Sequence, residues 1–174
     1  MTYSVEEQEM LTVLENHVAA EMRGDMETTM STMTDHPHLL NVPNMIGGDG
    51  YEGVKQFYSN HLVGKFFPPD VKFDTVSVTV GRTRIVQELV ISFTHTAEIE
   101  WMIPKIAPTN KKVEIAFVVV AGIENLKLTH EHIYWDQASV LVQLGLLDPR
   151  GLPVMGPESA RKLLSYSRNT LKSI

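Results

Sequence analysis

The chain has 174 residues, no cysteine and a formal net charge of −6, with 43% hydrophobic and 21% charged residues. That length suits one domain with a sizeable core, and that composition excludes a disordered chain and a membrane-spanning one. Without cysteine there is no disulfide or thiolate chemistry, and scattered Lys and Arg in an acidic chain give no footprint for nucleic acid.

The opening MTYSVEEQEM lacks a basic region followed by an apolar one, so no secretory leader is expected and the setting is read as cytoplasmic. Ser4 and Glu7 have the spacing of a capping box, and Leu11, Leu14, Val18 and Met22 share the face of a helix that should end at Gly24. Asp25 can cap a short second helix with Met26, Met30 and Met33 inward, stopped by Asp-His-Pro-His at 35–38. A short strand is predicted at 39–43. In IGGDGYEGVKQFYSNHLVG, Asp49 and Glu52 suit a helix start, Val54, Phe57, Tyr58 and His61 share a face, and Gly64 fits the close. Gly47-Gly48-Asp49-Gly50 is not followed by Lys-Ser/Thr, so it reads as a tight turn rather than a phosphate loop.

From residue 71 the period becomes alternating, which predicts strands at 71–80, 84–101, 112–123 and 126–135. In the second, Ile85, Leu89, Ile91, Phe93, His95, Ala97, Ile99 and Trp101 fall on one face, with Val86, Glu88, Val90, Ser92 and Thr94 opposite. The stretch 113–121, VEIAFVVVA, is apolar on both faces and should be central. In the last strand, alternation puts Leu126, Leu128, His130, His132 and Tyr134 on one side and Lys127, Thr129, Glu131, Ile133 and Trp135 on the other. Asp136 ends that strand, either as a helix cap or as a carboxylate at a pocket mouth. Val140, Leu141 and Leu144 follow as a helical stripe closed by Gly145, and a further helix from about 158 carries Ala160, Leu163, Leu164 and Leu171.

The stretches GGDGYEGVKQFY, QELVISFTHTAEIEWMIP with PTNKKVE, and HEHIYWDQASVLVQLGLL together resemble the nuclear transport factor 2-like superfamily, and within it the SnoaL-like polyketide-cyclase branch. The resemblance covers residues 4–147. It implies an α+β fold, a cone in which a curved antiparallel sheet wraps around N-terminal helices and encloses a mostly apolar cavity. The cone domain is expected over 1–147, with 148–174 an extension carrying a helix of the same domain. Members of that superfamily include isomerases, dehydratases, cyclases and non-catalytic scaffolds. The catalytic ones use an Asp, Glu or His in the cavity as general base.

The candidate catalytic residues are His132, His95, Asp136, Glu88 and Tyr134, with His130, Trp101, Tyr58, His38 and Phe93 as pocket-wall residues. His132 or His95 would take a proton beside a carbonyl, Asp136 or Glu88 would orient that imidazole, and Tyr134 would donate to the enolate. Each also has a structural role available: a buried histidine tied to a hydroxyl, a strand Glu paired with Arg84, a capping Asp. The His36/His38 and His130/His132 pairs have ligand types for zinc or iron, but acid–base work in an apolar pocket needs no metal, so no metal and no cofactor is expected. The expected function is a cofactor-independent cyclase, isomerase or dehydratase-type lyase acting on a small apolar carbonyl compound. The alternative is a small-molecule-binding or assembly module without turnover. A homodimer is expected, because the outer sheet face around 113–121 is apolar.

Overall fold

The computed structural model describes residues 3–61 and 66–170, so the readings placed on Gly64 and Leu171 lie outside the described residues. The elements are α1 (Val5–Arg23), α2 (Met26–Ser31), β1 (Met33–Asn41), β2 (Ile46–Asp49), α3 (Gly50–His61), β3 (Lys72–Val80), β4 (Arg84–Thr94), β5 (Lys112–Glu124), β6 (Lys127–Trp135), α4 (Gln137–Leu144) and α5 (Glu158–Thr170). No helix among the described residues is long and apolar enough to cross a membrane.

The six strands form one sheet in the order β2-β1-β6-β5-β4-β3. The predicted meander is β3 to β6, with the largely apolar β5 well inside the sheet. The sheet is nevertheless mixed, because β1 joins β6 in parallel and extends it with β2. Helices α1 and α3 lie on the concave side, against β6 and against β1 and β2.

The capping box of α1 forms as predicted: Ser4 Oγ accepts from the Glu7 amide, and the Glu7 carboxylate accepts from the Ser4 amide at 2.7 Å. Its most buried stripe is Met10, Leu14, His17, Ala20 and Glu21, whereas Val18 and Met22 are partly exposed. Three chain segments differ from the sequence reading. First, the His-Pro-His stretch lies within β1, which starts at Met33; the register slips between Met33 and His38, where Pro37 can sit without breaking a regular ladder. The adjoining IGGD is strand β2 rather than a turn. Its glycines permit close backbone approach, since a Cβ at Gly47 would collide with the Leu39 carbonyl.

Second, β4 ends at Thr94 instead of running to 101. The apolar residues beyond it, Ile99, Trp101, Met102 and Ile103, are fully buried in a turn that plugs the cone, so their hydrophobicity reports burial without strand pairing. Trp101 and Trp135 meet edge to face at 5.6 Å there, and Phe117 stacks on Trp135 at 5.9 Å.

The irregularity that matters most lies in β6. Ile123 pairs with Leu128 but Gly122 pairs with His130, so Thr129 is an extra residue, a β-bulge. Strict alternation puts Leu128 with His130, His132 and Tyr134; the bulge separates them. Leu128, Glu131 and Trp135 are buried on the concave side, and His130, His132 and Tyr134 stand on the convex side. A Cβ at Gly122 would collide with the His130 ring and the Thr129 hydroxyl.

The extension adds α5, which packs across the convex side of β3, β4 and β5, where Arg161 Nε donates to Glu114 Oε2 at 2.6 Å. It therefore covers part of the outer face.

Candidate active site in the cone

The concave face of the sheet and the helices line an apolar cavity of about 80 Å³ that opens to solvent at its mouth. Aromatic walls come from Phe57, Phe66, Phe67, Phe73, Trp101 and Phe117, and Trp101 is held in place by donating Nε1–H to the Phe66 carbonyl at 2.7 Å. Polar groups reach the wall at few points: Glu21 from α1, Glu131 from β6, Asn41 from β1 and Gln87 from β4.

Glu21 and Glu131 belong to a buried cluster completed by His17 and Tyr58. His17 Nε2 lies 3.3 Å from Glu21 Oε1, 3.3 Å from Glu131 Oε2 and 3.1 Å from the Tyr58 hydroxyl, and Tyr58 also donates to Glu131 Oε2 at 3.3 Å. His17 and Tyr58 have no exposure, and the two glutamates are buried as well. The other ring nitrogen fixes the protonation pattern. Thr32 spends its only hydroxyl proton on the Thr29 carbonyl at 2.6 Å, so its oxygen must accept from His17 Nδ1–H, also at 2.6 Å. Nε2 is thereby aimed at both carboxylates.

Three acid–base groups in one dry site cannot all keep their ordinary protonation. Burial opposes the His17 imidazolium, but Glu21 and Glu131 outweigh it and raise its pKa well above the usual histidine range. Burial, and then repulsion from Glu131, raises Glu21 above the normal carboxylate range. Burial and the same two carboxylates raise Tyr58 far above an ordinary phenol, so it remains a donor. An imidazolium, one carboxylate and one carboxylic acid make the cluster neutral, with one carboxyl proton shared between two oxygen acids.

The same three residues are the one group of His, Asp and Glu, among the described residues, whose ligand atoms all lie within 4.8 Å of one another. One imidazole nitrogen and two carboxylates suit a first-row divalent ion. Thr32 supplies the outer hydrogen bond that such a histidine commonly has.

The residues singled out from sequence are distributed differently. His130, His132 and His38 form a stack on the convex face: His38 and His130 rings are parallel at 4.9 Å, and His38 Nε2 meets His132 Nε2 at 2.9 Å. Tyr134 is exposed on that face. Glu88 is also convex, where its carboxylate accepts from Ser77 Oγ at 3.1 Å, and it is not near His132 or His95. Asp136 caps α4 by accepting from the Ser139 amide at 3.1 Å. His95 is buried just beyond β4, where its Nδ1 accepts from the Thr109 amide at 3.2 Å, and it does not line the cavity. Phe93 is core beside Phe67. Of the ten, Trp101 lines the cavity and Tyr58 joins its polar cluster.

His17, Glu21, Glu131 and Asn41 were missed. A signal existed: His17 and Glu21 extend the i, i+4, i+7, i+11 stripe begun by Met10 and Leu14, so two ionisable residues lie on the buried side of an otherwise ordinary amphipathic helix.

Among solved structures the chain matches a candidate SnoaL-like polyketide cyclase from Jannaschia sp. CCS1 with a TM-score of 0.66 and 13% identity, over 85% of this chain and 99% of that one. The cone is the nuclear transport factor 2-like fold. A second protein with this fold, a candidate polyketide cyclase from Xanthomonas campestris pv. campestris, matches with a TM-score of 0.61 and 14% identity over 80% and 98% of the two chains. A third, AclR, a candidate hydroxylase from Streptomyces galilaeus, gives 0.58 and 17% over 81% and 87%. At such identities the nuclear transport factor 2-like likeness concerns the fold. No family model and no curated protein matches the sequence.

Proposed function

We propose that the cone cavity carries out cofactor-independent general acid–base chemistry on a small, largely apolar ring compound with an enolisable carbonyl. The observation that carries this reading is the pair Glu21 and Glu131, buried against one imidazole and lining the wall of an aromatic pocket. Glu131, steadied by Tyr58 and His17, takes the proton from the carbon beside the carbonyl. The C–H electron pair becomes the enolate double bond and the carbonyl oxygen takes the charge. Glu21, kept protonated by burial and by Glu131, gives its proton to that oxygen or to a second carbon. Cyclisation, isomerisation and dehydration all begin with this step. The candidate polyketide cyclases among the structures with this fold agree with that class of chemistry.

The test needs no natural substrate. Incubated with the protein in D2O, 2-tetralone should exchange its α-protons, followed by NMR. Glu131→Gln should slow the exchange by about 100-fold while the variant stays folded and still binds the ketone. Binding without exchange in the wild type would leave a ligand-binding module. One equivalent of zinc, iron or manganese in protein purified without a histidine tag would replace the shared proton with a Lewis acid and overturn the reading.

A further inference from the structure

Asn41 sits on the concave face of β1, fully buried, between Leu39 and the wall residue Ile133 of the paired strand. Its Nδ2 donates to the Ile46 carbonyl at 3.0 Å. A carbonyl can only accept, so the amide cannot be turned around, and Oδ1 must point the other way. That oxygen is buried and has no hydrogen-bond partner among the described residues. The tie to Ile46 explains an amide nitrogen at this place. It does not explain an orphan acceptor at the wall of an apolar cavity, where a buried oxygen without a donor is costly.

We infer that Asn41 is a specificity-determining residue whose Oδ1 accepts a hydrogen bond from an O–H or N–H group on the ring compound bound in the cone. This rests on the acid–base reading for what happens at the other end of the ligand. The register fixes the spacing. Asn41 pairs with Ile133 and Leu39 with Glu131, so Asn41 and Glu131 are diagonal neighbours on one face. Two residues along a parallel strand span roughly 6.6 Å and neighbouring strands lie about 4.8 Å apart, which sets the two backbone positions roughly 8 Å from each other. A ligand reaching both is about as long as two fused six-membered rings, with the acidic carbon at one end and the donor at the other. An amide oxygen is too weak a base to remove the donor's proton, so Asn41 orients and selects.

Three ligands test this: 2-tetralone, 6-hydroxy-2-tetralone and 6-methoxy-2-tetralone, with dissociation constants measured by calorimetry. The hydroxylated ketone should bind the wild type about 10-fold more tightly than either of the others. Asn41→Leu should bring the three within about 2-fold of each other, leaving 2-tetralone affinity unchanged or improved. A general structural defect would weaken all three alike and would not move the ratio. Equal binding of the three by the wild type overturns the inference even if the variant fails to fold, as does a preference for the hydroxyl that survives in Asn41→Leu. Failure of the acid–base reading shows separately, as tight and selective binding with no deuterium exchange.

Discussion

One histidine inside the cone and a group of three outside it stand on opposite sides of β6 and have opposite electrostatics. Inside the cone, His17 is surrounded by acids and holds its proton more firmly than a free imidazole. Outside, His130 and His132 lose theirs more readily, because burial, neighbouring histidines and Arg84 all oppose a positive charge; His130 is lowered to about 4. The difference shows that a dense cluster of histidines in sequence is a poor guide to which histidine holds its proton. Burial, a stacked imidazole and Arg84 push His130 and His132 towards the neutral form, whereas one imidazole between two carboxylates stores a proton.

The comparison breaks most visibly in stability. His17→Leu leaves two buried carboxyl groups without their cation and should cost about 3–5 kcal/mol in denaturant unfolding. His132→Gln, at a half-buried convex position, should cost less than about 1 kcal/mol. Equal losses would mean that the inner cluster is not held together by charge.

Titration sharpens it. In imidazole NMR spectra, His17 should remain doubly protonated at neutral pH while His130 stays neutral until about pH 4. The linked stabilities run in opposite directions. For His17, with its folded pKa raised, the contribution is complete below the unfolded value near 6.5 and is lost as pH rises through the folded pKa. For His130 the folded value is depressed, so the unfolded chain binds the proton first and stability falls as pH drops from about 6.5 towards 4. Replacing His130 with Asn should flatten the acid limb alone, measured as melting temperature against pH.

The smallest change concerns assembly. We propose that the part of the convex face left uncovered by α5, with Leu40, Val118, Val120 and Tyr134, joins two copies of the chain. Sedimentation should give a dimer at micromolar concentration. A monomer there would remove this proposal and leave the histidine stack facing water.

The fold was legible in the sequence because its signals are local. The capping box at Ser4, the period change near residue 71, the cap at Asp136 and the left-handed Gly145 all identify their elements within a few residues. The candidate site was legible only in part. Trp101 and Tyr58 could be found because large aromatics rarely escape a wall or a core. Glu131 was hidden by the slip at Thr129, which no composition rule announces, since threonine is an ordinary strand residue. His17 and Glu21 were hidden by distance, for their partner lies 114 residues from His17 along the chain.

That slip at Thr129 also decides what kind of genetic change could remodel the molecule. Substitutions on β6 alter one side chain at a time and leave inside and outside as they are. Removing the single extra residue would leave Leu128 and Glu131 two positions apart, so strict alternation would by itself keep glutamate inside and the histidines outside. Removing one residue from the regularly paired stretch after Glu131 has no such slack, and every position beyond the cut would exchange faces. The arrangement of side chains on this strand is thus written in phase as much as in letters, and the bulge is where the strand can lose a codon and keep its faces.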